Sequence, residues 1–146
     1  MSHTFSKIWL HLLWSTKNRQ PLISPKLEPA LYDFIKSEFE EMGCKVSAIN
    51  GIADHIHCLI LISPQKSISD LLKQVKGSSS HFVNQSDLIS DKFAWQTGFT
   101  AFSVSESIVP KVRAYIQNQK VHHGKQTPEE ELLAFLKMHE IDRGNG

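Results

Sequence analysis

The chain has 146 residues, 40% of them hydrophobic and 21% charged, which is enough to bury a core and is read as a single domain over residues 1–146. A formal net charge of +1 excludes a uniformly basic or acidic coat, and no apolar run approaches the roughly 20 residues of a membrane span. Residues 1–7 lack the charged-then-apolar layout of a secretion signal. Cys44 and Cys58 have no metal-ligand spacing, so small core residues in a reducing cytoplasm are expected.

In chain order, Lys7 to Trp14 reads as a first strand. Ser24-Pro25 offers a capping hydroxyl and then a proline, and Leu27, Leu31, Phe34, Ile35, Phe39 and Met42 follow at helical spacing until Gly43 stops the helix. Cys44 to Ile49 forms a second strand, expected to turn at Asn50-Gly51 into a third that begins at His55 and continues through Cys58-Leu59-Ile60-Leu61-Ile62. Ser67-Ile68-Ser69-Asp70 opens a second helix that carries Ile68, Leu71, Leu72, Val75, Phe82 and Val83 inward. Gly77-Ser78-Ser79-Ser80 lowers its propensity without breaking its period. After a loop at Phe93 to Gly98, Phe99 to Ser105 alternates as a fourth strand. The order βαββαβ defines an α+β, ferredoxin-like antiparallel sheet with two helices on one face and the other face free for a ligand or partner.

Two further helices are expected at the C-terminus. One runs from Ile108 or Val109 to Val121 with Pro110 in its first turn. The other runs from Pro128 to about His139, opened by the capping box Thr127-Pro128-Glu129-Glu130 and packing Leu132, Leu133, Leu136 and Phe135. No repeat or linker divides the chain. Charge is unevenly placed: Glu28 to Glu41 holds five acids against Lys36, whereas Lys73 to Lys125 holds seven bases against Asp87, Asp91 and Glu106. That distribution suits either an anionic partner or ordinary solvated faces.

The residues able to do chemistry fall in two places. His55 and His57 leave the same face of the third strand, roughly 6 to 7 Å apart, where two neutral imidazoles can hold a divalent cation or simply sit beside a core. On the penultimate helix Tyr115, Asn118, Gln119 and His122 recur at i, i+3, i+4 and i+7, one polar stripe beside the packing residues Val112 and Ile116. A phenol aligned with a metal-bound electrophile can act as a nucleophile, and the Gln119 carbonyl oxygen can complete a coordination shell. Tyr115 also suits an amphipathic position at a helix boundary, and Lys111, Arg113 and Lys120 suit an anionic substrate or a plain helix surface.

Asp54-His55-Ile56-His57 on a strand, followed by Tyr115-Ile116-Gln117-Asn118-Gln119 on a late helix, resembles the single-tyrosine HUH transposases of bacterial insertion sequences, including the REP-associated tyrosine transposases. His11-Leu12-Leu13-Trp14-Ser15-Thr16-Lys17 and Phe93 to Ser105 resemble the same family, so the likeness runs from about Trp9 to Ile141. Ala53 stands where members often carry proline, a departure in the turn and not in the ligands. The resemblance implies that His55, His57 and Gln119 bind Mg²⁺ or Mn²⁺, although imidazoles by themselves suit Zn²⁺ equally. It implies that Tyr115 cuts single-stranded DNA to leave a 5′-phosphotyrosine and a free 3′-hydroxyl. It further implies a homodimer in which one subunit's tyrosine helix can serve the other's histidines, and recognition of imperfect DNA hairpins. Lys73, Lys76, Lys92, Lys111 and Arg113, with Trp95, form the expected DNA surface. A non-catalytic hairpin-binding module and a phosphoesterase that uses water on small phosphodiesters are the competing readings.

Overall fold

The computed structural model describes residues 3–122 together with 130, 131, 133, 134 and 137. The elements are β1 (Trp9–Ser15), α1 (Glu28–Glu41), β2 (Lys45–Ile52), β3 (His55–Leu61), α2 (Ile68–Asn84), β4 (Thr100–Val104), α3 (Val109–Gln117) and α4 (Gln119–His122). Every strand pairs antiparallel in the order β2-β3-β1-β4, the expected ferredoxin-like sheet.

Alternation along the two central strands sorts the residues onto two faces. Leu10, Leu12 and Trp14 of β1 and Ile56, Cys58 and Ile60 of β3 form one core with Leu31, Ile35 and Phe39 of α1 and Leu71, Leu72, Val75 and Val83 of α2. Between the helices, Phe34 stacks on Phe82 at 4.4 Å. Ser67 caps α2 as expected, its Oγ accepting from the Asp70 amide at 3.1 Å. Ser24 does not cap α1, because its Oγ accepts from the Leu27 amide at 3.2 Å within the turn that precedes the helix, and Leu27 holds the cap position without a side-chain bond. Gly43, at φ +85°, takes the left-handed conformation that ends α1. Cys44 and Cys58 are buried free thiols. Among the described residues no helix is long and apolar enough to cross a membrane.

Four further expectations need correction. The hairpin does not turn at Asn50-Gly51: pairing continues through Asn50 with His57 and Ile52 with His55, and the turn falls at Ala53 and Asp54. Gly51 serves close approach instead, since a Cβ there would lie 2.2 Å from the His55 carbonyl oxygen. The second face of the sheet is not free, because Ile108, Val109, Val112 and Ile116 pack there on Ala48, Leu59 and Val104. The penultimate helix is not continuous to Val121; α3 stops at Asn118 (φ −99°, ψ 16°), whose amide bonds back to the Ala114 carbonyl, and α4 then begins. Finally, Leu133 is 58% exposed and not packed. Glu130, Glu131, Leu133, Ala134 and Lys137 are helical. Thr127, Pro128 and Glu129 of the capping box, and Leu132, Phe135 and Leu136, lie outside the described residues.

Candidate active site

The polar cluster lies on the face covered by α3. His55 and His57 sit at the start of β3, 1% and 0% exposed, with ring centroids 4.9 Å apart and planes at 77°. His55 Nδ1 is 2.8 Å from Asp54 Oδ1 and 3.2 Å from Arg19 Nη2. One ring nitrogen cannot donate and accept at once, and the shorter, charge-assisted contact decides: Nδ1–H donates to Asp54. Arg19 then serves mainly as the cation beside Asp54, its Nε 3.6 Å from Oδ2. That leaves His55 Nε2 facing the site, 3.3 Å from Glu131 Oε2. His57 Nε2 faces it too, 3.0 Å from Glu131 Oε1, and its Nδ1 is 3.1 Å from His11 Nε2.

Glu131 therefore bridges the two imidazoles. The charges it meets explain the titration of the cluster. Burial works against charge on His55, but Asp54 and Glu131 more than offset it and raise it to about 9. His57 is pushed down to about 4 by complete burial, helped by the neighbouring His55. Burial opposes ionisation of Glu131, yet hydrogen bonds from both histidines hold its carboxyl well below the ordinary range. Tyr115 completes the group. Its hydroxyl is 3.5 Å from Glu131 Oε1, long for a hydrogen bond, and its ring lies 6.3 Å from that of His57 in an edge-on arrangement. Burial and then the Glu131 charge push the phenol up to about 12.

One ligand atom each from His55, His57 and Glu131 lie within 4.8 Å of one another, all in buried residues, so the three fit a divalent cation. Gln119 adds a second observation. It is 1% exposed, and neither amide atom makes a hydrogen bond among the described residues; its contact with Tyr115 favours the phenolate slightly but falls short of one. A buried amide left this way costs about 1 to 3 kcal/mol, a cost that coordination through the carbonyl oxygen would remove.

The structure thus brings His55, His57 and Tyr115 together in one chain and buries Gln119 beside Tyr115. The turn before α3 is itself packed, with Ile108 and Val109 buried. The expected DNA surface is more scattered. Lys73 is exposed on α2, Lys76 Nζ donates to the Gln96 and Gly98 carbonyls at 2.7 Å each, and Lys92 is exposed beside the same loop. Trp95 is half-buried, edge-on to Trp14 and Phe93, and donates to Ser79 Oγ at 2.9 Å, so the small residue in α2 makes room for an indole. Lys111 and Arg113 belong to α3 across the sheet, where Arg113 Nε donates to Ser47 Oγ. Sequence reasoning missed Glu131, His11 and Arg19 as site residues. Glu131 hides in a run of acids that reads as a helix start, whereas a histidine inside the apolar first strand was a signal open to notice.

A ferredoxin-like sheet with a buried histidine pair, a bridging carboxylate and an apposed phenol defines a candidate metal-and-tyrosine domain. The chain belongs to the IS200-like transposase family, whose model matches residues 4–119. It is 27% identical over 114 residues to the ISDra2 transposase TnpA of Deinococcus radiodurans, covering 75% of this chain and 81% of that one. It is 24% identical over 124 residues to the transposase for insertion sequence element IS200 of Salmonella typhimurium, covering 82% and 81%. Among solved structures, one assigned as a transposase of Deinococcus radiodurans matches with a TM-score of 0.62 at 24% identity, over 82% of this chain and 95% of that one. A REP-associated tyrosine transposase bound to a REP hairpin matches with a TM-score of 0.61 at 17% identity, over 85% and 75%.

Proposed function

We propose that this transposase nicks and rejoins single-stranded DNA at hairpin-flanked ends, with Tyr115 as nucleophile and His55, His57 and Gln119 as ligands of Mg²⁺ or Mn²⁺. Glu131 is a further ligand candidate in this reading. The observation that carries it is the convergence of a phenol and two imidazoles on one carboxylate, in a chain whose family transposes DNA. A divalent cation held by these residues would supply positive charge to the scissile phosphate. The chain's own groups do the rest. Asp54 holds His55 with Nε2 inward, and burial keeps His57 neutral and ready to ligate. Neutralising Glu131 would remove the second of the two influences, after burial, that raise the Tyr115 phenol.

Attack by Tyr115 Oη, which gives up its proton, joins the phenol to the 5′-phosphate and breaks that phosphorus's bond to the 3′ oxygen. That oxygen takes up a proton and leaves as a 3′-hydroxyl, so no net proton is consumed. A 3′-hydroxyl attacking the phosphotyrosine reverses the exchange, so no nucleotide cofactor is consumed. The reading includes hairpin DNA as partner, a homodimer, action of residues 1–146 as one domain, and a reducing cytoplasm that suits two buried free thiols. The REP hairpin held by the similar solved protein supports the choice of DNA.

The test is incubation of labelled hairpin oligonucleotide with Mn²⁺, resolved on a denaturing gel. Wild type forms a covalent protein–DNA adduct and Tyr115→Phe forms none. Cleavage retained in full by Tyr115→Phe would transfer the nucleophile's role to water and refute the proposal. Hairpin binding without any adduct would leave a binding module.

A further inference from the structure

We infer that His11 is a positioning residue for His57: it holds the His57 ring through Nδ1 in either tautomer, and so keeps Nε2 presented to the metal. The inference rests on the metal-binding part of the proposed function. His11 lies at the middle of β1, opposite Leu59 of β3 and Phe102 of β4, while Leu13 of β1 stands opposite His57. His11 and His57 therefore share a face as diagonal neighbours across the ladder, close enough for long side chains to meet. The ring of His11 is 0% exposed, 5.3 Å from that of His57 and 6.3 Å from that of Phe102. An imidazole buried opposite Leu59 and Phe102 is costly to keep unless its polar atoms have work to do. Its Nε2 lies 3.1 Å from His57 Nδ1.

Two ring nitrogens at that separation share one hydrogen, and the hydrogen's owner is set from the other side of His57. With Glu131 as partner, His57 Nε2–H donates to Oε1, so Nδ1 accepts from His11 Nε2–H. With a cation on His57 Nε2, that atom carries no hydrogen; Nδ1–H then donates and His11 Nε2 accepts. Only a group that can donate or accept from the same place serves both arrangements, and a neutral imidazole does so by changing tautomer with no net gain or loss of protons. The two site histidines are thus held from behind by different means, Asp54 for His55 and His11 for His57. Partners of this kind orient metal-binding histidines, and their loss typically weakens metal binding roughly 10- to 100-fold.

The experiment measures Mn²⁺ dissociation constants by electron paramagnetic resonance for wild type, His11→Phe and His11→Gln, with urea unfolding of each metal-free protein. His11→Phe is expected to weaken Mn²⁺ binding about 10- to 100-fold, and His11→Gln, which keeps an acceptor, to recover most of it. In parallel, long-range ¹H–¹⁵N spectra of the wild-type imidazoles, taken with and without Zn²⁺ as a diamagnetic probe, should show the hydrogen moving from His11 Nε2 to Nδ1 on loading. That signature does not depend on any variant folding. A folded His11→Phe that binds Mn²⁺ as wild type does, or a His11 that keeps its Nε2 hydrogen in the loaded protein, overturns the role given to His11 alone. A wild-type protein that binds neither ion overturns the metal site itself.

Discussion

The two faces of the sheet are built from the same strands and do opposite work. On the α1/α2 face, Ile56, Cys58 and Ile60 meet Leu12, Trp14 and Phe39 in a core without charge. On the α3 face, the alternate positions of β3 hold His55 and His57 and then the apolar Leu59 and Leu61, and α3 packs on Leu59. Adjacent residues of one strand thus answer to different physics. Burial stabilises the first set roughly in proportion to apolar area, whereas the second set is buried at a cost that mutual hydrogen bonds offset. Stability and chemistry should therefore be separable by substitutions only two or three residues apart.

The sharpest break of that pairing is Tyr115→Phe. Adduct formation should fall at least roughly a thousandfold while the urea midpoint hardly moves, checked by denaturing gel and equilibrium unfolding on the same sample. Leu12→Ala should do the reverse. Removing a fully buried leucine from the larger core should lower unfolding free energy by about 2 to 5 kcal/mol, read from urea titration, with the Mn²⁺ affinity of the folded protein kept. His57→Ala should reduce Mn²⁺ affinity at least about 100-fold in a calorimetric titration, exceeding the loss from any residue that only supports a ligand. If Leu12→Ala weakens Mn²⁺ binding as much as His57→Ala does, the faces are mechanically coupled and the division drawn here is wrong. The smallest effect belongs to Ser67→Ala, which removes the cap of α2. It should cost about 1 kcal/mol in urea unfolding and leave metal binding alone.

The apolar face was the legible one. Helical spacing picked out Leu31, Ile35 and Phe39, alternation separated Ile56, Cys58 and Ile60 from His55 and His57, and Ser67 caps α2 as its position suggested. Periodicity reports which side of an element is buried, and on that face nothing else matters. The polar face depends on partners brought from far along the chain, about which spacing is silent. Glu131 meets His57 across 74 positions, and His11 meets it across 46. Asn118 looked like one more residue of a polar helical stripe, because a local backbone break leaves no mark on the hydrophobic period. Trp95, expected on a DNA surface, is half-buried and donates to Ser79, a partner that its spacing does not announce. Family resemblance pointed to Tyr115 and the histidine pair without showing how they are held.

Gly51 carries no reactive group, yet its missing side chain is what lets β2 lie so close to the carbonyl of His55. Any larger residue would press on the peptide that joins His55 to Ile56, with no flexible atom there to yield. A saturation library selected for transposition should therefore score position 51 among the least tolerant in the chain, as if it were a reactive group. Biophysical assay of the same variants would show a tilted imidazole behind the lost activity.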